Sequence, residues 1–254
     1  MENFVQVKNI KIGEGIPKIC IPLVAKTKEE FIENAKELTS FKFDLVELRI
    51  DYFQEVENID AVKKLTKEIR NILKNIPILF TFRSFKEGGE KEISAEYYKT
   101  LNIEISKTGL VDLIDIELFT GDEIVNEMVK EIHENNIKIV MSNHDFHKTP
   151  EKDEIVKRLC KMQELKCDIP KIAVMPKATA DVLTLLTATE EMKRNHPSTP
   201  VITMSMGGLG VISRISGETF GSALTFGAAK KASAPGQVPV EELYTTLNIL
   251  HNSK

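Results

Sequence analysis

The strongest constraint on the fold is a repeat of eight short apolar runs, separated by segments with helical periodicity. The runs fall at 19–24, 45–50, 78–82, 113–118, 137–141, 168–176, 201–206 and 223–226. Period-3.6 patterning predicts helices over 28–38, 61–73, 94–106, 122–134, 152–165, 179–192 and 240–250; Thr27 caps the first, with Glu30 three residues on. Eight such units in 254 residues is the pattern of an α/β chain folded as a (β/α)8 TIM barrel. A doubly wound open sheet would use fewer units, and no G-x-G-x-x-G follows the first run. Strand-like pieces at 5–7 and 10–12 flank Lys8-Asn9 and predict a hairpin ahead of the barrel. No Gly/Ser/Pro-rich linker or long charge block interrupts the pattern, so one domain over 1–254 is expected.

Charge narrows the partners. The formal net charge is −4 with no basic cluster, which argues against nucleic acid but leaves room for a small anionic substrate held by individual arginines. Cys20, Cys160 and Cys167 form no C-x-x-C pair, and an odd count makes a poor disulfide set, so buried thiols in a reducing compartment are expected. The first residues lack the basic start and apolar core of a signal peptide, and no apolar run approaches membrane-spanning length. A cytoplasmic protein without a membrane partner is the expectation.

Barrel chemistry gathers at the C-terminal ends of the strands. The sixth run, Asp168-Ile169-Pro170-Lys171-Ile172-Ala173-Val174-Met175-Pro176, carries one lysine. In apolar surroundings an ammonium is costly, and a neutral amine there is a nucleophile for carbonyl carbon. From this stretch alone, a lysine pointing its head into water at the strand's mouth is the simpler reading. Strand two sets Glu47, Arg49 and Asp51 on one face, equally a structural ion network or a set of hydrogen-bonding groups for a polyhydroxylated substrate. Strand three ends at Arg83, with Glu87 in the loop beyond, and strand four alternates Asp115 and Glu117. An Arg83–Glu117 pair inside the barrel is the plainer account of Arg83.

Strand five ends Ser142-Asn143-His144-Asp145, and His144 is the histidine at a strand end, where an acid–base group is wanted. A zinc site from His144 and His147 would need further ligands, and strand one offers none. Met204 and Met206 share a face of strand seven and, alone, read as core filler. The glycines after them open a short helix carrying Arg214, near whose start an anion could bind. The segment 230–239 has the small residues of a mobile lid, or of an idle loop.

Several motifs recur in order along nearly the whole chain: Glu47-Leu48-Arg49, Phe82-Arg83 with Glu87-Gly88-Gly89, Asp115-Ile116-Glu117-Leu118, Ile139-Val140-Met141-Ser142-Asn143-His144-Asp145, Pro170-Lys171-Ile172-Ala173, Met204-Ser205-Met206-Gly207 and Ser233-Ala234-Pro235-Gly236-Gln237. On these the sequence resembles the type I 3-dehydroquinate dehydratase family. The resemblance implies a homodimeric (β/α)8 barrel with its far end closed by the N-terminal hairpin, needing no metal or organic cofactor. It implies that Lys171 forms an imine with the C3 ketone of 3-dehydroquinate. His144 would carry the C2 proton and protonate the departing C1 hydroxyl in a syn elimination, while Glu87 hydrogen-bonds His144 and favours its protonated form.

By the same resemblance Arg214 would clamp the substrate carboxylate. Glu47 and Arg49 would address the ring hydroxyls and Arg83 would help close the pocket. Met204, Met206 and Phe226 would supply apolar walls, with Ser233 and Gln237 reaching in from the lid. Two other readings stand beside this one: a Schiff-base aldolase acting on a sugar phosphate, and a catalytically dead barrel that binds quinate-like acids.

Overall fold

The computed structural model describes residues 4–229 and 234–253. An antiparallel hairpin of β1 (Val5–Val7) and β2 (Ile10–Ile12) precedes eight parallel strands. These are β3 (Lys18–Leu23), β4 (Leu45–Arg49), β5 (Ile78–Thr81), β6 (Leu113–Glu117), β7 (Lys138–Asp145), β8 (Ile169–Val174), β9 (Ile202–Ser205) and β10 (Leu224–Ala228). Each pairs with the next from β3 to β9, and β10 pairs back onto β3. The seam between β9 and β10 is closed by other means. A single bridge joins Val201 to Ser222, and the Ser222 hydroxyl accepts from the Thr203 N–H at 3.0 Å and donates to its carbonyl at 3.2 Å. Higher on the seam a two-residue strand, β11 (Val238–Pro239), pairs with Gly227 and Ala228 of β10.

The helices between strands are α1 (Lys28–Leu38), α2 (Ile59–Leu73), α3 (Ala95–Ser106), α4 (Asp122–Glu134), α5 (Lys152–Glu164) and α6 (Thr179–Asn195). Two short pieces, α7 (Val211–Ile215) and α8 (Gly217–Phe220), follow β9, and α9 (Val240–Asn252) closes the chain. The expected capping box is present: Thr27 accepts from the Glu30 N–H at 3.3 Å while the Glu30 carboxylate accepts from the Thr27 N–H at 3.2 Å, a device worth about 1 kcal/mol.

The predicted strands and helices are all found, which makes the fold a TIM-barrel-like α/β structure. β7 continues beyond the apolar run that ends at 141, because Ser142–Asp145 pair one-for-one with Lys171–Val174 of β8. His144 therefore sits at the end of the strand, where the sequence placed it. Neither α8 nor β11 was expected from the sequence; both are too short to show a period.

The apolar residues divide into two layers by strand parity. Outward-facing Ile21, Leu48, Phe80, Ile116, Met141 and Val174 pack beneath the helices. Inward-facing Cys20, Leu45, Leu79, Leu113, Val140, Ile169, Ile202 and Leu224 form a separate core inside the barrel, joined by Val7 and Ile12 of the hairpin. The hairpin thus plugs the N-terminal end, and the interior is filled up to a floor on which the site rests.

Candidate active site

Directly above that floor the inward positions turn polar. The next inward residues are Glu47, Thr81, Asp115, Ser142 and Lys171, and the ones above them are Arg49, Arg83, Glu117 and His144. All but His144 are buried. A charged layer in a barrel interior is stable only if its members satisfy one another, and here they do. Arg83 donates to Glu117 and Asp115, each at 2.8 Å, and to Ser142 at 2.9 Å. Arg49 makes a bidentate pair with the fully buried Asp51 at 2.8 and 2.9 Å. The Arg83–Glu117 pair considered from the sequence is therefore present, and of the Glu47–Arg49–Asp51 set the Arg49–Asp51 pair forms while Glu47 turns to Thr81 and Lys171; Arg49 and Arg83 also line the cleft above.

An open cleft lies above this layer. Its walls bring together Lys171, His144, Glu87, Glu47, Arg49, Arg83, Met204, Met206, Arg214, Phe226 and Gln237. Ser233, expected to reach in from the lid, lies outside the described residues, as do residues 230–232 of that segment. Phe146 and Ala234 also line the cleft; neither carries a sequence signal that separates it from ordinary filler.

Lys171 does not sit in the apolar surroundings expected from its strand. Its Nζ lies 3.4 Å from Asp115 Oδ2 and 3.6 Å from Glu47 Oε1, and 4.6 Å above the Phe226 ring. The residue is 3% exposed, so the solvated-lysine reading fails. Asp115 is the residue that sequence reasoning left out of the site. It accepts from Arg83 and from Ser142 at 2.7 Å and faces the lysine, and those cations hold its carboxyl below the usual range despite burial. Its signal was the alternation Asp115-Ile116-Glu117, which puts both acids on the inward phase.

Glu87 and His144 form a couple. Glu87 Oε2 lies 2.9 Å from both the backbone nitrogen and the Nδ1 of His144, which turns the other ring nitrogen, Nε2, away from the carboxyl. The expected preference for a protonated imidazole is reversed in the free site. Burial and the neighbouring cations Arg83, Lys171 and Arg49 hold His144 well below its ordinary value. Burial and the Glu117 carboxylate push Glu87 up to about 8. Both directions favour an uncharged couple over an ion pair.

Glu87 owes its place to Gly88. That residue adopts φ +84, and a Cβ there would overlap the Phe146 ring two residues beyond His144, so only glycine lets the loop turn against β7.

Arg214 is 1% exposed and meets no carboxylate among the described residues. It donates to the Pro235 carbonyl at 3.0 Å and touches Met204 Sδ at 3.8 Å, and its Nε has no partner. Burial alone lowers it to about 10. A buried guanidinium without a counter-ion is a site for an anion. The glycine turn before it is less suited to a phosphate. The Gly207 N–H is spent on Pro235, and those of Gly210, Val211 and Ser213 on carbonyls of the turn itself.

His147, the other half of the zinc reading, is exposed, and its N–H caps Asp145. Among the described residues no group of three His, Cys, Asp or Glu is arranged to hold a metal ion, and no helix is long and apolar enough to cross a membrane.

Comparison with known proteins identifies the family. A family model described as type I 3-dehydroquinase matches residues 19–254. The 3-dehydroquinate dehydratase of Clostridioides difficile (strain 630) is 59% identical over 253 residues, covering 100% of this chain and 99% of that one. The Listeria monocytogenes serotype 4a protein of the same name is 55% identical over 249 residues, 98% of each chain. Among solved structures, the type I 3-dehydroquinate dehydratase from Clostridium difficile, described as carrying covalent modified comenic acid, superposes with a TM-score of 0.98 over 100% of both chains, at 59% identity. The Geobacillus kaustophilus HTA426 3-dehydroquinate dehydratase gives 0.95 at 38% identity, covering 98% of this chain and 96% of that one. With the motifs, the barrel and the lysine-centred cleft all in agreement, the chain belongs to the type I 3-dehydroquinase family.

Proposed function

We propose that this chain dehydrates 3-dehydroquinate to 3-dehydroshikimate through an imine on Lys171, with His144 as the proton carrier. The overall reaction is that of a hydro-lyase in the shikimate pathway. The observation that carries the reading is the burial of one lysine nitrogen in the cleft that also holds the Glu87–His144 couple and an unpaired arginine. The covalently modified acid in the Clostridium difficile structure is in keeping with a nucleophile in such a cleft.

The geometry supports the following steps. The Lys171 amine, free of its proton, adds to the C3 carbonyl; proton transfers convert the adduct to an iminium and release one water. Asp115 and Glu47, on either side of Nζ, offset the positive charge that then persists on nitrogen. The iminium draws electrons from the adjacent carbon, so the C2–H bond breaks with its proton passing to His144 Nε2. The electron pair forms C2=C1 and expels the C1 hydroxyl, which takes a proton from the same imidazole and leaves as water. One base on one face of the ring gives syn stereochemistry. A second water hydrolyses the conjugated iminium and frees Lys171.

Nε2 can accept the C2 proton only when it carries none itself, so the couple must first lose its Nε2 proton and keep the shared one on Nδ1, with Glu87 ionised. Arg214 would take the C1 carboxylate bidentately. Glu47 and Arg49 would bind the ring hydroxyls while Arg83 holds the acid layer beneath, and Met204, Met206 and Phe226 would keep the ring face dry. Gln237 would close the cleft together with Ser233, and the homodimer and the cytoplasmic setting complete the reading.

Borohydride added during turnover tests it. The expected result is a reduced adduct on the peptide containing Lys171, and an inactive but folded Lys171→Ala protein. Active enzyme yielding no adduct on that peptide would overturn the imine.

A further inference from the structure

Glu87 uses one oxygen on His144; the other leads out of the barrel. Asn143 precedes His144 on β7, so its side chain falls on the opposite face of the strand, toward the helices. It is 4% exposed. Its amide NH2 lies 3.3 Å from Glu87 Oε1, and its carbonyl oxygen accepts from Arg158 Nη1 at 3.0 Å. Arg158 projects from α5, bonded through Nε to Glu154 at 2.8 Å, with its guanidinium 5.5 Å from the Phe119 ring. A continuous chain of hydrogen bonds thus runs from the helix layer, through Asn143 and Glu87, to the imidazole.

An amide can present either end to Glu87, and the two ends act in opposite senses. The NH2 group stabilises a carboxylate, whereas the carbonyl oxygen stabilises a protonated carboxyl. Arginine only donates, so with Arg158 in place the Asn143 oxygen must face outward and the NH2 must face Glu87. We propose that Arg158 and Asn143 are positioning residues for the reaction, orienting the Glu87 carboxylate on His144 and holding it in the ionised form that base action requires. Neither touches the cleft, and both act through Glu87. The inference rests on the proposed roles of Glu87 and His144.

The other groups around Glu87 do not supply this bond. Glu117 and Asp115 of β6 oppose its ionisation, Arg83, two residues past β5, favours it from 3.7 Å, and His144 of β7 shares its proton. Lys86 and Glu92, on the solvent side, are exposed and pair at 4.0 Å. The Asn143 N–H is the one uncharged donor from the strand layer that reaches Oε1, and it lowers the Glu87 value against the effect of burial.

The test is the pH profile of kcat/KM for wild type, Arg158→Met, Arg158→Lys, Asn143→Leu and the Asn143→Leu/Arg158→Met double variant. Borohydride trapping on Lys171 is measured in each. Arg158→Met alters a partly exposed position on α5 and leaves the strand layer's own residues in place, so it remains folded if Asn143→Leu does not. Losing a hydrogen bond to a carboxylate moves the acid limb to higher pH by roughly half a unit to one unit.

The expected result is that shift in both Arg158→Met and Asn143→Leu, a smaller one in Arg158→Lys, and no further shift in the double variant, since the two act in series. Glu154→Gln, which alters the surface charge without touching Asn143, leaves the limb where it is. Trapping on Lys171 stays intact throughout. Unshifted limbs in Arg158→Met and Asn143→Leu would overturn the positioning role while the lysine chemistry stands; failure to trap in wild type would instead remove the reading on which it rests.

Discussion

Glu87 Oε2 serves two donors of a single residue, the backbone N–H and the ring Nδ1 of His144, each at 2.9 Å. The backbone bond fixes the carboxyl relative to β7, and the ring bond fixes the imidazole relative to the carboxyl. Because β7 is paired through Asp145 to β8, the couple is held rigidly to the strand that carries Lys171. The proposed proton carrier and nucleophile are thereby placed by adjacent, hydrogen-bonded strands, with the flexible reach left to the substrate.

Removing the imidazole separates elimination from imine formation. His144→Ala leaves Lys171 with Asp115 and Glu47 beside it, so the imine still forms. It lowers kcat by roughly 10²- to 10⁴-fold, the usual worth of a positioned acid–base group. Mass spectrometry after borohydride reduction checks this; a His144→Ala protein with kcat within tenfold of wild type would assign the proton to another group.

Glu87 makes stability depend on pH in a direction opposite to that of most carboxylates. Its folded value, about 8, lies above the unfolded one near 4.5, so between these values the folded protein binds the extra proton. Stability contributed by the neutral carboxyl is then complete below the unfolded value and lost as pH rises toward about 8. Glu87→Gln carries no such titration. The variant's stability relative to wild type therefore improves between pH 5.5 and 8.5 in denaturant titrations, while its kcat falls by about two orders of magnitude. A stability difference that does not change with pH would show that Glu87 is ionised throughout.

Much of this arrangement was legible in the chain, and the misses have a common cause. Eight strands separated by helices, the capping box at Thr27 and the inward phase of Glu47, Asp115 and Lys171 all follow from local period and from residue type. What escaped depends on neighbours across strands. Lys171 read as a lysine in an apolar strand because Asp115 and Glu47, 56 and 124 positions earlier, become its neighbours only when the barrel closes. The proton preference of Glu87 escaped for the same reason: it is set by Glu117 and by burial, not by His144. The Ser222 hydroxyl that completes the β9–β10 seam has no sequence period to betray it. Asn143 was seen only as a neighbour of His144, since its strand parity points it away from the site.

Arg214 illustrates a function kept at the expense of stability. Its guanidinium is buried, its Nε lacks a partner, and burial lowers it to about 10, so the charge is unfavourable until an anion arrives. Arg214→Met therefore raises or preserves Tm while weakening substrate binding by roughly 10- to 100-fold, the worth of charge-assisted hydrogen bonds. Calorimetric titration with a quinate-like acid, beside a thermal melt, reads both; unchanged affinity would remove Arg214 from the carboxylate site.

Asp115 holds two cations at once, Arg83 at 2.8 Å and Lys171 at 3.4 Å. Asp115→Asn keeps the shape and deletes the charge that Arg83 and Lys171 share in a dry layer, at a cost of about 3 kcal/mol. The wild-type carboxyl titrates below its ordinary value, so its contribution is present above that value and is lost as pH falls further. The stability gap between wild type and variant therefore closes in acid, below about pH 4. Adding Lys171→Met to Asp115→Asn restores part of the loss, and strictly additive effects in this double-mutant cycle would contradict the ion pair.

The segment 234–237, which we propose as the base of a lid, is pinned at a glycine. Gly236 adopts φ +78, and a Cβ there would overlap the Gly207 carbonyl, the residue whose N–H bonds Pro235. Pro235 in turn accepts from Arg214, so one close backbone approach sets both the lid's seat and the arginine's aim. Gly236→Ala adds strain from the left-handed backbone and pushes the segment off β9. Its expected effect is a raised KM with a smaller change in kcat, because Lys171 and His144 lie on strands that the lid does not support. Imine trapping at saturating substrate stays at the wild-type level. Steady-state kinetics with a parallel trapping assay distinguish this from general damage: a fall in kcat and trapping together, with KM unchanged, would place the defect in the barrel and not in the lid.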